Sequence, residues 1–152
     1  MQDLKEIVKP FYTQALTVNP SADASAVVDR VLADDFQSIN AAEVKTKAQL
    51  IGQVSFFWKL IPDLRWNIEE MLQDGDRVIV RSTASGSPKG DFMGLSLDGT
   101  KSFKIMTIDI HTVKDGKVSR VYHLEEWTTA IVVPPAWSAR SDRLGNLILE
   151  HG

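Results

Sequence analysis

The sequence predicts an α+β domain, in which a strongly curved, mainly antiparallel sheet forms a cone-shaped barrel around three N-terminal helices. Two observations support this class. Apolar residues recur at helical spacing as far as Leu60, and beyond Leu64 they alternate with a period of two. Turn signals such as Asp74-Gly75-Asp76 separate the alternating segments, which is typical of antiparallel hairpins.

Three amphipathic helices are expected in the first part of the chain. The first spans residues 4–16, and Pro10 should kink it because proline cannot donate a helical hydrogen bond. The second spans residues 24–33. The third spans residues 46–60, with Thr46 as its N-cap.

Strands are expected at residues 64–71, 77–85, 102–113 and 118–128, and residues 86–99 are glycine-rich enough for a long loop or an irregular hairpin end. Residues 36–39 form a further short extended run. The predicted domain covers residues 1–133. Residues 134–152 form a C-terminal extension, in which a short helix is expected between residues 138 and 150.

Composition narrows the class of protein. The chain has 152 residues, which fits one domain, and it contains 0 cysteines, which excludes disulfides, thiolate metal sites and a cysteine nucleophile. A formal charge of −3 gives no global support for nucleic-acid binding. No apolar run is long enough to span a membrane, and the charged N-terminus lacks a secretory hydrophobic segment. A cytoplasmic protein is therefore expected.

The hairpin expected from residues 102–113 and 118–128 carries the side chains best suited to acid–base chemistry. With a three-residue loop at residues 114–116, Asp109 and His123 fall on one face as diagonal neighbours. With a two-residue Asp115-Gly116 loop they would lie on opposite faces. We expect the first register, because it puts Gly116 where φ is positive.

The shared face admits two interpretations. Either its polar residues are wetted by solvent and the opposite apolar face is core, or the polar face lines the interior and the apolar face packs on a second subunit. In the second case, His123 beside Asp109 is a plausible general base near neutral pH. His111 is expected at the surface near the hairpin turn, and the spacing of the acidic residues and histidines supports no metal site.

Four segments together resemble the SnoaL-like polyketide cyclase branch of the nuclear transport factor 2 and ketosteroid isomerase superfamily, over roughly residues 4–128. The segments are FYTQAL (11–16) with LADDF (32–36), LIPDL (60–64), GDFMG (90–94) with Asp98-Gly99 and Phe103, and DIHTVKDGKV (109–118). The resemblance implies a cone with an apolar pocket, a homodimer, and an inward acid–base pair on the last two strands. The pair falls on Asp109 and His123, with the His and Asp of the antibiotic-pathway cyclases exchanged.

The steroid isomerase branch matches less completely. Tyr12 falls at its oxyanion-binding tyrosine and Asp109 at its protonated acid. Its general base should be a carboxylate near residue 40, where this chain has Asn40 and, nearby, Ser38. An amide cannot abstract a proton, so steroid isomerisation by that mechanism is not expected.

The resulting hypothesis is an acid–base enzyme of cyclase or isomerase type that needs no metal or organic cofactor. It would remove a proton next to the carbonyl of a hydrophobic small molecule, with His123 as base, Asp109 as its orienting partner or a neutral acid, and Tyr12 as a second donor to the enolate. The candidate substrate-binding residues are Ser38, Asn40, Phe57, Trp58, Trp66, Phe92, Glu125 and Trp127. The alternative is a non-catalytic ligand-binding or dimerisation module of the same fold.

Overall fold

A computed structural model of the chain describes residues 2–127, 137–141, 143 and 147–151. The predicted α+β class is confirmed, since helices from the first part of the chain pack on one face of a large sheet. No helix in the described part of the chain is long and apolar enough to cross a membrane.

The first helix changes type after Pro10, the residue at which a kink was predicted. Helix α1 covers Lys5–Pro10, and the chain then continues as a π-helical segment over Phe11–Leu16. The N–H of Thr17 closes this segment by donating to the carbonyl of Tyr12 at 3.1 Å, five residues back. The wider turn follows the residue that has no N–H of its own, and it buries Phe11, Tyr12 and Ala15.

The other two helices begin at side-chain caps. Helix α2 covers Ala24–Val31, and the Asp23 carboxylate accepts the N–H of Ser25 at 3.0 Å. Helix α3 covers Lys47–Leu60 and begins with a capping box in which Thr46 and Gln49 each bond the other's backbone N–H. Thr46 is therefore the N-cap that the sequence predicted.

The main sheet contains six of the described strands, in the order β2-β1-β8-β7-β4-β3. All neighbours are antiparallel except β1 and β8. Because this sheet has two free edges, β2 and β3, it does not close into the predicted barrel. The strand bounds are β1 Leu32–Ile39, β2 Val44–Thr46, β3 Arg65–Asp74, β4 Arg77–Gly86, β5 Lys89–Phe92, β6 Leu95–Asp98, β7 Phe103–Lys114, β8 Lys117–Trp127, β9 Trp137–Ser141 and β10 Leu147–His151.

Helix α2 ends at Val31 and not at residue 33, because β1 begins at Leu32, and the short strand β2 was not predicted. Two further regions differ from the sequence prediction. The glycine-rich stretch at residues 86–99 contains the hairpin β5–β6, whose turn is made by Met93 and Gly94 with positive φ angles of 51° and 78°. The tail forms the antiparallel hairpin β9–β10 instead of the predicted helix. Apolar residues such as Ile148 favour a strand once a partner strand is available. The domain boundary predicted at residue 133 lies outside the described residues.

The core lies between the helices and the sheet face that they cover. Its fully buried members come from both layers and include Val8, Tyr12, Val28, Leu32, Val78 and Val80. Along β7 the buried residues alternate with half-buried ones, so that Thr107, Asp109 and His111 face the helices. The polar face of this strand is therefore turned inward, and the solvent interpretation of the sequence is wrong.

Candidate active site

Asp109 and His123 lie directly opposite each other on β7 and β8. The connecting turn is the two-residue Asp115-Gly116 loop, with φ angles of 52° and 75°, and not the expected three-residue loop. That loop alone would put the two side chains on opposite faces. The register shifts by one residue between Thr112 and Val113, where no residue of β7 pairs with Ser119. This bulge restores the common face.

A continuous chain of short hydrogen bonds runs through the pair. His123 Nδ1 lies 2.5 Å from Asp109 Oδ1, and the Tyr12 hydroxyl donates to Asp109 Oδ2 at 2.5 Å. The same hydroxyl lies 2.7 Å from His111 Nε2. At the other end, His123 Nε2 lies 2.7 Å from Glu125 Oε1.

Burial decreases along this chain from the core outward. Tyr12, His111 and Asp109 are buried, whereas the side chain of His123 is 19% exposed and that of Glu125 is 39% exposed. The more exposed members of this hydrogen-bonded chain, His123 and Glu125, therefore lie at its outer end. His111 is deep in the core and not at the surface as predicted, because the π-helical segment covers this end of β7 and its Phe11 and Tyr12 rings contact the imidazole edge-on.

The environment shifts the pKa values of the two histidines in opposite directions. Burial lowers the pKa of His111 to about 4, so its imidazole is neutral. Burial also disfavours the charged form of His123, but hydrogen bonds and charges from Asp109 and Glu125 outweigh it and raise the pKa of His123 to about 9. Burial and the neighbouring Asp109 charge raise the pKa of Tyr12 well above 10, so its phenol keeps its proton. The raised pKa keeps His123 protonated at neutral pH, where it lies between Asp109 and Glu125.

A cavity of about 120 Å³ opens beside His123. Its wall is apolar along α3 and the Trp66 side, and polar where Asp109, His123 and Glu125 reach it. Six of the predicted substrate-binding residues line it: Ser38, Asn40, Phe57, Trp58, Trp66 and Glu125. Tyr12 is not among the lining residues, because it lies behind Asp109.

A second cavity of about 290 Å³ adjoins the first and shares Phe57, Leu64, Trp66 and Glu125 with it. Phe92, which was predicted to contact substrate, lines this second cavity, where its ring stacks on Phe103 with centroids 5.5 Å apart. The backbone of Trp127 ends β8, and its side chain lies outside the described part of the structure.

The family model for SnoaL-like polyketide cyclase matches residues 7–130. The chain belongs to the SnoaL-like polyketide cyclase family. A comparison with curated proteins gave no match. The matched residues include every strand of the main sheet, helices α2 and α3, and helix α1 from Ile7 onward.

Solved structures with this fold include other members of the family. A SnoaL-like polyketide cyclase from Agrobacterium tumefaciens is 19% identical with a TM-score of 0.63, over 83% of this chain and 93% of that chain. AclR from Streptomyces galilaeus, which is named as a candidate hydroxylase, is 18% identical with a TM-score of 0.70, over 82% and 79% of the two chains. A protein from Catenulispora acidiphila with a ketosteroid isomerase-like fold is 17% identical with a TM-score of 0.61, over 78% and 84%.

Sequence reasoning missed two polar residues of this SnoaL-like site. Lys45 lines the first cavity because β2 pairs it with Ser38, and β2 itself was not predicted. His111 joins the hydrogen-bonded chain, although its position two residues after Asp109 already placed it on the same strand face. That parity was the signal that could have identified it.

Proposed function

We propose that this SnoaL-like protein is an acid–base enzyme of cyclase or isomerase type, which removes a proton from the carbon next to a carbonyl in a hydrophobic small molecule. The observation that carries the proposal is the position of His123. One of its ring nitrogens is held by the buried Asp109, and the other is hydrogen-bonded to the partly exposed Glu125 at the cavity. A base that is oriented from behind by a buried carboxylate and bonded in front to a more exposed one suits proton transfer once a ligand displaces the exposed carboxylate.

Ligand binding would convert the resting imidazolium into a base. Glu125 contributes to the raised pKa of His123, and it is the more exposed of the two carboxylates. A ligand that displaces Glu125 from Nε2 removes one stabilising charge, so the pKa of His123 falls towards neutrality and Nε2 can accept a proton. The imidazolium formed in that step can then return the proton to another atom of the same molecule, as cyclisation and isomerisation both require.

The developing enolate oxygen needs a donor other than Tyr12, whose single proton is engaged by Asp109. Asn40 offers one. Its Oδ1 accepts the backbone N–H groups of Ala42 and Glu43 at 2.8 and 2.9 Å, so the remaining Nδ2 group is the donor available on the cavity side. A preorganised donor of this kind typically contributes several kcal/mol to stabilising an oxyanion.

The apolar wall sets the expected class of ligand. Phe57, Trp58 and Trp66 line the cavity, and the indole N–H of Trp58 donates to the Ala15 carbonyl at 2.7 Å. Because that N–H is satisfied within the protein, the ring presents apolar surface, which favours a hydrophobic ligand.

A non-catalytic ligand-binding module is the second candidate. It is favoured by the resting site, in which carboxylates occupy both nitrogens of His123. In that case the ion-paired imidazolium would serve as a fixed donor to the ligand and would not exchange protons with it.

Exchange of α-protons of model ketones into deuterated water separates the two candidates. The enzyme proposal expects the wild type to accelerate exchange and His123→Ala to lose the acceleration, whereas His151→Ala, the same change at the exposed tail histidine, retains it. Equal rates for wild type and His123→Ala would remove the base assignment. Retained binding of the ketones without any exchange would support the binding module.

A further inference from the structure

The buried His111 takes no part in the chemistry proposed above, yet it ends the hydrogen-bonded chain. Its Nε2 lies 2.7 Å from the Tyr12 hydroxyl oxygen, while its Nδ1 has no partner among the described residues. Aromatic and valine side chains surround it, with Phe11 and Tyr12 edge-on to the ring and Val78 opposite it on β4. A polar side chain buried this completely needs a reason to be there.

Counting protons determines the direction of each bond. The Tyr12 hydroxyl has one proton, and the carboxylate of Asp109, 2.5 Å away, needs it, because an ionised carboxylate can only accept. The Tyr12 oxygen then faces His111 Nε2 with a lone pair, and two lone pairs would repel each other at 2.7 Å. Nε2 must therefore carry the single N–H of the neutral imidazole, and Nδ1 is left as a bare acceptor. The opposite arrangement would bury an N–H at Nδ1 without an acceptor.

We infer that His111 is a positioning residue, which donates from Nε2 to Tyr12 and thereby directs the Tyr12 proton onto Asp109. Donation into the phenol oxygen polarises the O–H and strengthens the bond that it makes to the carboxylate. Asp109 is thus held from the core side by Tyr12 and presents Oδ1 to His123.

The chain links the core histidine to the protonation of the cavity histidine. A strong Tyr12 bond neutralises part of the Asp109 charge that stabilises the His123 imidazolium. Weakening that bond therefore raises the pKa of His123 and lowers the fraction of neutral base. The proton arrangement stands without the proposed function, whereas its consequence for the exchange rate rests on it.

The hydrogen-bonded groups are Tyr12 from the π-helical segment, Asp109 and His111 from β7, and His123 and Glu125 from β8. Lys45 from β2 lines the same cavity as Asp109, His123 and Glu125, and it stays unchanged in the variants below. The protonation of His123 can therefore be followed while the far end of the chain is changed.

The direct test is the tautomer of His111, read from ¹⁵N-labelled protein by long-range proton–nitrogen NMR spectra at neutral pH. The proposal expects a neutral ring protonated at Nε2. A ring protonated at Nδ1 overturns it.

The second test titrates His123 by NMR in variants at the core end. His111→Met removes the donor at similar volume, and His111→Gln retains a donor near the position of Nε2. We expect the midpoint of His123 to rise in His111→Met and to stay near the wild-type value in His111→Gln. Tyr12→Phe should raise it further, and His111→Met should add nothing in the Tyr12→Phe background, because His111 acts through Tyr12.

Additive shifts in the double variant, or equal shifts for Met and Gln, would contradict the inference. Folding is checked by the dispersion of the amide spectrum, and the tautomer test, which uses only wild-type protein, decides the matter if either variant fails to fold. Neither test needs a substrate. Loss of the proton arrangement is therefore distinguishable from absence of α-proton exchange.

Discussion

Asp109 and His123 face each other across β7 and β8 because the turn and a bulge together shift the strand pairing by two residues. Relative to a three-residue loop, the Asp115-Gly116 turn shifts the partner of Asp109 by one residue, and the bulge at Ser119 shifts it by one more in the same direction. A one-residue slip turns every following side chain to the other face of a sheet. Without the bulge, Tyr122 would stand opposite Asp109 and His123 would point away from the cavity.

Removing the charge of Glu125 should shift the pH dependence of α-proton exchange. Glu125 contributes to the raised pKa of His123, so Glu125→Gln lowers that pKa below about 9. Neutral His123 then appears at lower pH, and the rising limb of the rate profile moves to lower pH. Profiles of wild type and Glu125→Gln measure the shift, and Glu69→Gln on the exposed side of β3 is the matched control. A shift to higher pH, or none, would contradict the proposed role of Glu125.

The burial of His111 should make the fold sensitive to acid. Its pKa is about 4 when folded and near 6.5 when unfolded, so the unfolded chain takes up a proton that the folded chain resists. This contribution to stability is complete above about pH 6.5 and is lost as the pH falls towards 4, by roughly 3 kcal/mol. Denaturant titrations at several pH values check it. His111→Gln should show a smaller loss over that interval than wild type, and an equal loss would assign the acid sensitivity to other groups.

Two glycine-to-alanine changes should have opposite effects on the free energy of unfolding. Gly116 has a φ of +75° in the turn that sets the β7–β8 register, so Gly116→Ala should cost about 1 kcal/mol. Gly52 is exposed within α3 and an added Cβ would meet no atom within 4 Å, so Gly52→Ala should stabilise by up to about 1 kcal/mol. Chemical denaturation measures both. Destabilisation by Gly52→Ala would show that the space around that helix position is not open.

The outer face of β7 and β8 is expected to form the interface of a homodimer. Leu124 is 60% and Tyr122 39% exposed, and Ile108 and Ile110 are half-buried beside them. Contiguous apolar side chains on a sheet face are typical of an interface. Sedimentation at micromolar concentration should give a dimer that Leu124→Lys weakens, whereas Leu95→Lys, the same change at an exposed leucine of β6, should not. A monomeric wild type would contradict this expectation.

The spacing of apolar residues, helical in the first part of the chain and alternating in the second, was enough to predict the α+β class, the three helical segments and the four long strands. Parity along a strand also placed Asp109 and His111 on one face, since neighbouring side chains in a strand always point to opposite sides. The resemblance to SnoaL-like cyclases pointed to Asp109 and His123 as a pair. These features depend on local spacing, which is visible in the sequence.

Only the tertiary structure decided how the pair is made and what surrounds it. The bulge at Ser119 leaves no clear sequence signal, because any residue can be the unpaired one, so the register could not be counted from the turn alone. The burial of His111 and the place of Tyr12 behind Asp109 depend on the π-helical segment crossing that end of the sheet. The charge of His123 follows from carboxylates on two adjoining positions of the folded hairpin. Burial and charge depend on what packs against a face, and no residue's own sequence neighbourhood specifies that.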